Sequence, residues 1–391
     1  MIQFRPRFCK VAVLAAFSFI SPSLSAQALA PVTFRGLWIV RESMVSRAEI
    51  DAALEFAQRG GFNHVFVQVR GRGDAYYRSL IVPRSERIRE KDLDPLAYTI
   101  RRGHELGLNV HAWVTTYLLW SARKPPANRA HIYHMHPEWL EVRADGSAQR
   151  FLDLSAPRDG TFEGIYLSPS HPEVNNYLKA VFTEILLNYA VDGLHLDYVR
   201  YYDLDYGYNA AGLEALSRRH NFDPRQLQGA SDGATLGVAE AGTTVELWNT
   251  FRRDRVSDLI TALHAIITIG GKEVMLSAAV KPNIQVARSR FFQDWARWLE
   301  DGILDYAVAM NYTPERSDYL DNLRISLGAL HHANRDQLVM GVATYNQSAE
   351  ETAEKIRLAR LAGVGGIAVF SYDAHKTNLA HFDPILKIIN R

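Results

Sequence analysis

Carboxylates carry most of the chemistry open to this chain, and their positions relative to short apolar runs decide which of them can act together. Asp197 stands in DGLHLDY (192–198). If that run is a strand, alternation sends His195 and Asp197 to one side and Leu194 and Leu196 to the other. Leucines facing a helix layer leave the polar pair facing the centre of a barrel, where an ionised carboxylate is expensive to bury without a purpose. Four other acids follow apolar runs: Glu42 after GLWIV, Asp74 after HVFVQV and GRG, Glu315 after AVAMNY, and Asp373 after GIAVFSY. Two such carboxyls brought together can protonate a leaving oxygen and attack, or activate water, which is what glycosidic hydrolysis requires. Asp197 is the candidate nucleophile or base, and Asp74, Asp373 and Glu315 are the candidate partners. Their plainer readings are an Asx turn, a helix N-cap and solvated surface. Asp192, at the other end of the strand, reads as a turn or cap.

Substrate-holding residues are expected at the same strand ends. Glu42 is placed to meet a sugar hydroxyl, and Arg70 to keep Asp197 ionised, since a nearby cation favours the charged form. His195, Trp113, Asn311, Tyr312 and Tyr345 are candidates to line a cleft or to fill the barrel mouth. The alternative for Asp197 is a structural carboxylate held by Arg200 or a backbone amide. His131, His134 and His136 in HIYHMH invite a metal reading, but no strand-borne H-x-H accompanies them and the spacing matches no zinc pattern. No metal or cofactor is expected.

The elements that must position these residues alternate in period. GLWIV (36–40), HVFVQV (64–69), NVHAWV (109–114), GLHLDYV (193–199), EVMLSAAV (273–280), LDYAVAMNY (304–312), LVMGVATY (338–345) and GIAVFSY (366–372) read as strands. Stretches of helical period lie between them, including one opened by a Ser46/Glu49 capping box, one over 94–106 and one over 173–189. Eight such units predict a single-domain (β/α)8 TIM barrel with enlarged βα loops, in which the active site lies at the carboxyl ends of the strands. A doubly wound sheet would need a Gly-rich phosphate turn, and GRG at 71–73 is too short and leads into no helix. Segment 203–244, rich in Gly, Ala and Asp, reads as a flexible excursion.

Residues 1–28 read as a signal peptide: Arg5, Arg7 and Lys10, then the apolar run 11–20, then small residues. Ten apolar residues fall short of the roughly 20 of a membrane span. Cleavage is expected after Ala28, with Ala26 as the alternative, leaving 29–391 as an exported domain, periplasmic or secreted, with no membrane span. The sole cysteine, Cys9, departs with the leader, so the mature chain has no disulfide and no thiol nucleophile. Losing three cations from 44 basic residues leaves 41 against 43 acidic ones, a net charge of −2 with no basic face for nucleic acid.

Several motifs in order carry a resemblance: FRGLWIVRES (34–43), VFVQVRGRGDAYYRS (65–79), HAWV (111–114), HPEWL (136–140), YLSPSHPEVNNYL (166–178), DGLHLDYVRY (192–201) and AVAMNYT (307–313). Together they resemble the glycosyl hydrolase-like 10 family, across most of the mature chain. The resemblance implies a TIM-barrel glycosidase acting on a bacterial envelope polysaccharide, including peptidoglycan glycan strands stripped of peptide. The fourth-strand motif is also similar to that of the alpha-amylase superfamily, in which the residue matching Asp197 is the nucleophile. It resembles the chitinase-type D-G-x-D-x-D-x-E less well, because Val199 replaces the acid. A glycan-binding barrel without hydrolysis is the alternative from another class, and a metal-dependent amide or ester hydrolase is a third.

Overall fold

The computed structural model describes residues 32–156, 160, 162–227 and 238–390. It contains ten strands: β1 (Phe34–Ile39), β2 (His64–Arg70), β3 (Asn109–Thr115), β4 (Leu118–Trp120), β5 (Ile165–Tyr166), β6 (Gly193–Asp197), β7 (Met275–Val280), β8 (Tyr306–Met310), β9 (Leu338–Ala343) and β10 (Gly366–Phe370). Eight of them close a parallel barrel in the order β1-β10-β9-β8-β7-β6-β3-β2, and β4 pairs antiparallel with β5 outside it. Each of the eight expected runs supplies a barrel strand. Burial on both faces explains their near-continuous apolar character, and β2 is buried at all seven positions.

The two faces are filled differently. Leu194 and Leu196 of β6 join the large core between strands and helices. Phe34, Trp38, Phe66, Trp113, Val308, Val339 and Ala368 pack against one another as a separate cluster within the barrel. His195 lies in that interior, fully buried, with Nε2 3.3 Å from the Trp38 indole N–H and Nδ1 2.9 Å from the Ser277 hydroxyl.

Helix starts follow the sequence, with one difference. The Ser46 hydroxyl accepts from the Glu49 N–H at 3.4 Å and opens the helix Arg47–Arg59. The expected capping box is only half formed, because Lys376 (3.1 Å) and Arg89 (3.6 Å) draw the Glu49 carboxylate away. Asp94 caps the helix Pro95–Glu105, and His171 caps Pro172–Asn188. Asp192 accepts from the Val110 N–H at 2.7 Å and lies 2.8 Å from His104 Nε2, the structural role expected of it.

Segment 203–244 differs from the expected loose excursion. It contains the helix Ala210–His220, capped by Asn209, and the start of the 32-residue helix Val238–Ile269. Leu213 and Leu216 pack with Trp248 and Phe251 into a small core of their own, so an apolar i,i+3 pair outweighed the Gly/Ala/Asp composition. The expected signal peptide, with Cys9 and both cleavage sites, lies outside the described residues. Among those described, no helix is long and apolar enough to cross a membrane.

Candidate active site

The carboxyl ends of the strands open into a cavity of about 700 Å3. Its lining contains two carboxylates, Asp197 and Glu163. Asp197 is the last residue of β6 and is 6% exposed. Its Oδ2 accepts from the Trp113 indole N–H at 3.0 Å and its Oδ1 from the Tyr198 amide at 2.8 Å. Tyr198 adopts φ 51, a left-handed conformation costly for a side chain with a Cβ and typical of strained functional turns. Burial pushes the Asp197 carboxyl up to about 6, and the two N–H bonds and Arg200 pull against that rise.

Glu163 arrives from the loop ahead of β5. Gly164 lets it in: its φ is +148, and a Cβ there would stand 2.5 Å from the Trp120 carbonyl oxygen, so only glycine fits between Glu163 and the β4–β5 pair. Arg200 Nη2 donates to both Glu163 oxygens, at 2.8 and 2.7 Å; the Tyr166 hydroxyl donates to Oε2, and Lys281 Nζ lies 3.8 Å from Oε1. Burial works to raise its carboxyl, but Arg200 and Lys281 outweigh it and the net is below the ordinary Glu range. Lys281, lowered to about 8 chiefly by burial and by Arg200, closes this charged side of the cleft. The two carboxyls are thus tuned apart, one easily protonated and one held ionised.

Of the expected site residues, Asp197, Trp113, Asn311, Tyr312 and Tyr345 line the cavity. Asn311 is fully buried with its amide spent on Tyr319 O (2.9 Å) and Asn322 (3.1 Å). Tyr312 stacks on Phe370 at 5.3 Å, and its buried hydroxyl has no protein partner among the described residues. Tyr345 stands 56% exposed at the rim, a ready stacking platform.

The remaining expectations are corrected by position. Asp373 accepts from the Val40 N–H and the Ser43 hydroxyl, both at 2.6 Å, and ties β10 to the turn after β1. Asp74 accepts from the Arg72 N–H two residues back at 3.2 Å, not from the Tyr76 N–H two residues on as the expected Asx turn requires, and it does not line the cavity. Glu315 is exposed at the start of the helix Arg316–Ala329, and Glu42 pairs with Arg87 (3.2 Å) and Arg41 (3.6 Å). Arg70 is fully buried and donates to the Thr115 and Thr116 carbonyls, because the irregularity between Gln68 and Arg70 turns it away from Asp197. His195 sits beneath the cavity floor. The three histidines of HIYHMH serve separate partners: the Arg72 carbonyl, the Pro126 carbonyl and Glu138.

The sequence reading named neither Glu163 nor Lys281, and it named Arg200 only in the structural alternative for Asp197, whereas Arg200 hydrogen-bonds Glu163. Glu163 lies in no apolar run, since β5 is two residues long. Glu-Gly ahead of Ile165-Tyr166 was the available signal.

Comparison with known proteins bears on the family and the fold. The profile described as glycosyl hydrolase-like 10 matches residues 33–355. Glycosyl hydrolase DigH of Escherichia coli K12 is 25% identical over 378 residues, covering 83% of this chain and 75% of that one. Glycosyl hydrolase YngK of Bacillus subtilis is 26% identical over 282 residues, covering 66% and 48%. The PgaB (BpsB) glycoside hydrolase domain from Bordetella bronchiseptica superposes with a TM-score of 0.68 at 12% identity, over 92% of this chain and 99% of that one.

Proposed function

Because the chain belongs to the glycosyl hydrolase-like 10 family, and is thereby a glycoside hydrolase, we propose that it cleaves O-glycosidic bonds of a bacterial envelope polysaccharide with Asp197 at the reacting centre. The observation that carries this reading is the pairing of Asp197 with Trp113 and Tyr198 at the floor of the one described cavity lined by both carboxylates. Two N–H donors, one on each oxygen, favour the ionised form and fix its direction, as a nucleophile or water-activating base requires. Glu163 is the second carboxyl, and it pairs with Arg200 and Lys281 on the cleft wall. Tyr312 and Tyr345 supply a hydroxyl and a ring for the sugar.

A second assignment of roles has its own support. The carboxyl that titrates near 6 is Asp197, and the one held ionised is Glu163, which is the order expected if Asp197 is the proton donor. The pH dependence of kcat/KM separates the two: a rise through about pH 6 supports Asp197 as nucleophile or base, and a fall supports it as acid.

Peptide-free peptidoglycan glycan strands are the substrate proposed, the protein acting in the periplasm or outside the cell after loss of residues 1–28. The mature chain and its Asp197→Asn variant would be incubated with those strands and with other bacterial polysaccharides, and released reducing ends measured. Cleavage by the first and not the second is expected. Equal cleavage by both would remove Asp197 from the chemistry.

A further inference from the structure

A second, smaller pocket of about 130 Å3 shares Arg41 with the cleft. Arg41 lines both spaces, and Ser121, on the wall of the first, accepts from Arg72 Nε at 2.9 Å on the wall of the second. Arg72, Arg84 and Arg87 join Arg41 in lining it, against Asp74 and Glu86. Much of the acidic charge is already committed: Asp74 accepts from the Arg72 N–H, while Glu42, just outside, answers Arg41 and Arg87. Neither Arg72 nor Arg84 is in an ion pair with a described residue. The clustered guanidiniums repel one another, and burial together with Arg41 and Arg87 lowers the Arg72 pKa. Such a gathering of like charge is stabilised by an anion.

The same pocket has an aromatic wall. Trp120, from β4, is half-buried and fixed by its indole N–H donating to the Lys124 carbonyl at 2.7 Å, with the Arg72 guanidinium 5.9 Å from its ring centre. A ring beside fixed guanidiniums suits a sugar that carries a negative group.

We propose that this pocket is a distal subsite for a carboxylate-bearing sugar of the same strand that occupies the Asp197 cleft, so that the enzyme selects an anionic polysaccharide. The proposal rests on the glycosidase reading and deepens it. The single barrel thereby has a site for cutting and a separate site for recognising charge.

The test uses the mature protein with Asp197→Asn to silence hydrolysis, titrated calorimetrically with peptide-free peptidoglycan glycan strands and with the same strands after amidation of their carboxylates. The charged strands bind about tenfold more tightly, the scale of one charge-assisted contact. Arg72→Gln and Arg87→Gln each narrow that difference, and together they abolish it. Arg87 is exposed and its loss leaves the fold intact, which keeps the outcome readable if Arg72→Gln misfolds. Arg101→Gln, removing an arginine paired with Glu105 on a remote helix, leaves the difference unchanged. Equal affinity for both strands, or a full preference surviving in the double variant, overturns the subsite. If the active enzyme cuts both strands equally well, the subsite falls and the glycosidase reading stands; if it neither binds nor cuts either strand, both fall.

Discussion

Arg200, at 2% side-chain exposure, places one guanidinium nitrogen within 2.8 Å of both carboxylate oxygens of Glu163, joining the residues just after β6 to the loop before β5 across 37 positions of sequence. Glu163→Gln strips the negative charge from this pair and leaves a buried cation poorly matched. We expect a loss of roughly 3 kcal/mol of stability, the cost of breaking a buried pair by removing one partner. We also expect a fall in kcat of at least about 100-fold, as removal of a working carboxyl produces. Thermal unfolding and glycan cleavage measured together check this. An unchanged melting temperature would mean that the pair is not holding the loop.

Asp197 supplies a prediction whose sign is set by burial. Its folded pKa, about 6, lies above its ordinary 3.8, so the folded state holds the proton more tightly than the unfolded one. The Asp197 contribution to stability is therefore greatest below about pH 4 and declines as pH rises toward 6. Asp197→Asn cannot ionise and escapes that decline. Relative to the native protein it gains roughly 2 kcal/mol between pH 4 and 7, less about 1 kcal/mol for the N–H bond that an amide nitrogen cannot accept. Melting temperatures of both proteins across that range test it, and parallel curves would rule it out. A gain accompanied by loss of activity is the mark of a residue kept for function at the expense of stability.

How much of this was legible beforehand follows from where each residue sits. The barrel was readable because eight buried parallel strands leave eight apolar runs, and Asp197 because strand alternation separates it from Leu194 and Leu196. Asp373 was misread because position after a strand does not say which way a side chain turns: Val40 and Ser43 claim its carboxylate for the β1–β10 seam. Glu163 was invisible for the opposite reason. It reaches the cleft through a two-residue strand and a glycine at φ +148, neither of which leaves a periodic trace. Arg70 was lost to a strand irregularity at Gln68/Arg70, which no composition rule anticipates.

Trp113→Phe keeps the ring in the barrel cluster and removes one of the two N–H donors to Asp197. The ionised carboxylate loses a bond of about 1 kcal/mol, so the Asp197 pKa rises further above 6, by roughly 0.7 of a unit. The limb of the pH–rate profile governed by Asp197 moves up by the same amount, while the smaller ring in the barrel cluster lowers the melting temperature. A limb that stays in place would show that Asp197 is not the group titrating in that profile.

Glu141 offers an independent reading of the same physics away from the cleft. It is fully buried, and its Oε2 accepts from the Gly207 N–H at 3.1 Å and the Val142 N–H at 3.3 Å. Burial pushes its carboxyl up to about 8, so it is mostly neutral at pH 7. Glu141→Gln matches that neutral form in shape, and at pH 5 it should unfold within about 1 kcal/mol of the native protein. The native protein loses the Glu141 contribution to stability as pH climbs from the ordinary 4.5 toward 8, because ionisation is easier in the unfolded chain. The variant escapes that part of the loss, so its advantage over the native protein grows over that whole interval and levels off above pH 8, whereas that of Asp197→Asn levels off near 6. Two plateaus at different pH, read from melting curves of the two variants, would separate a structural carboxyl from the one at the reacting centre; coincident plateaus would show that burial does not tune them apart.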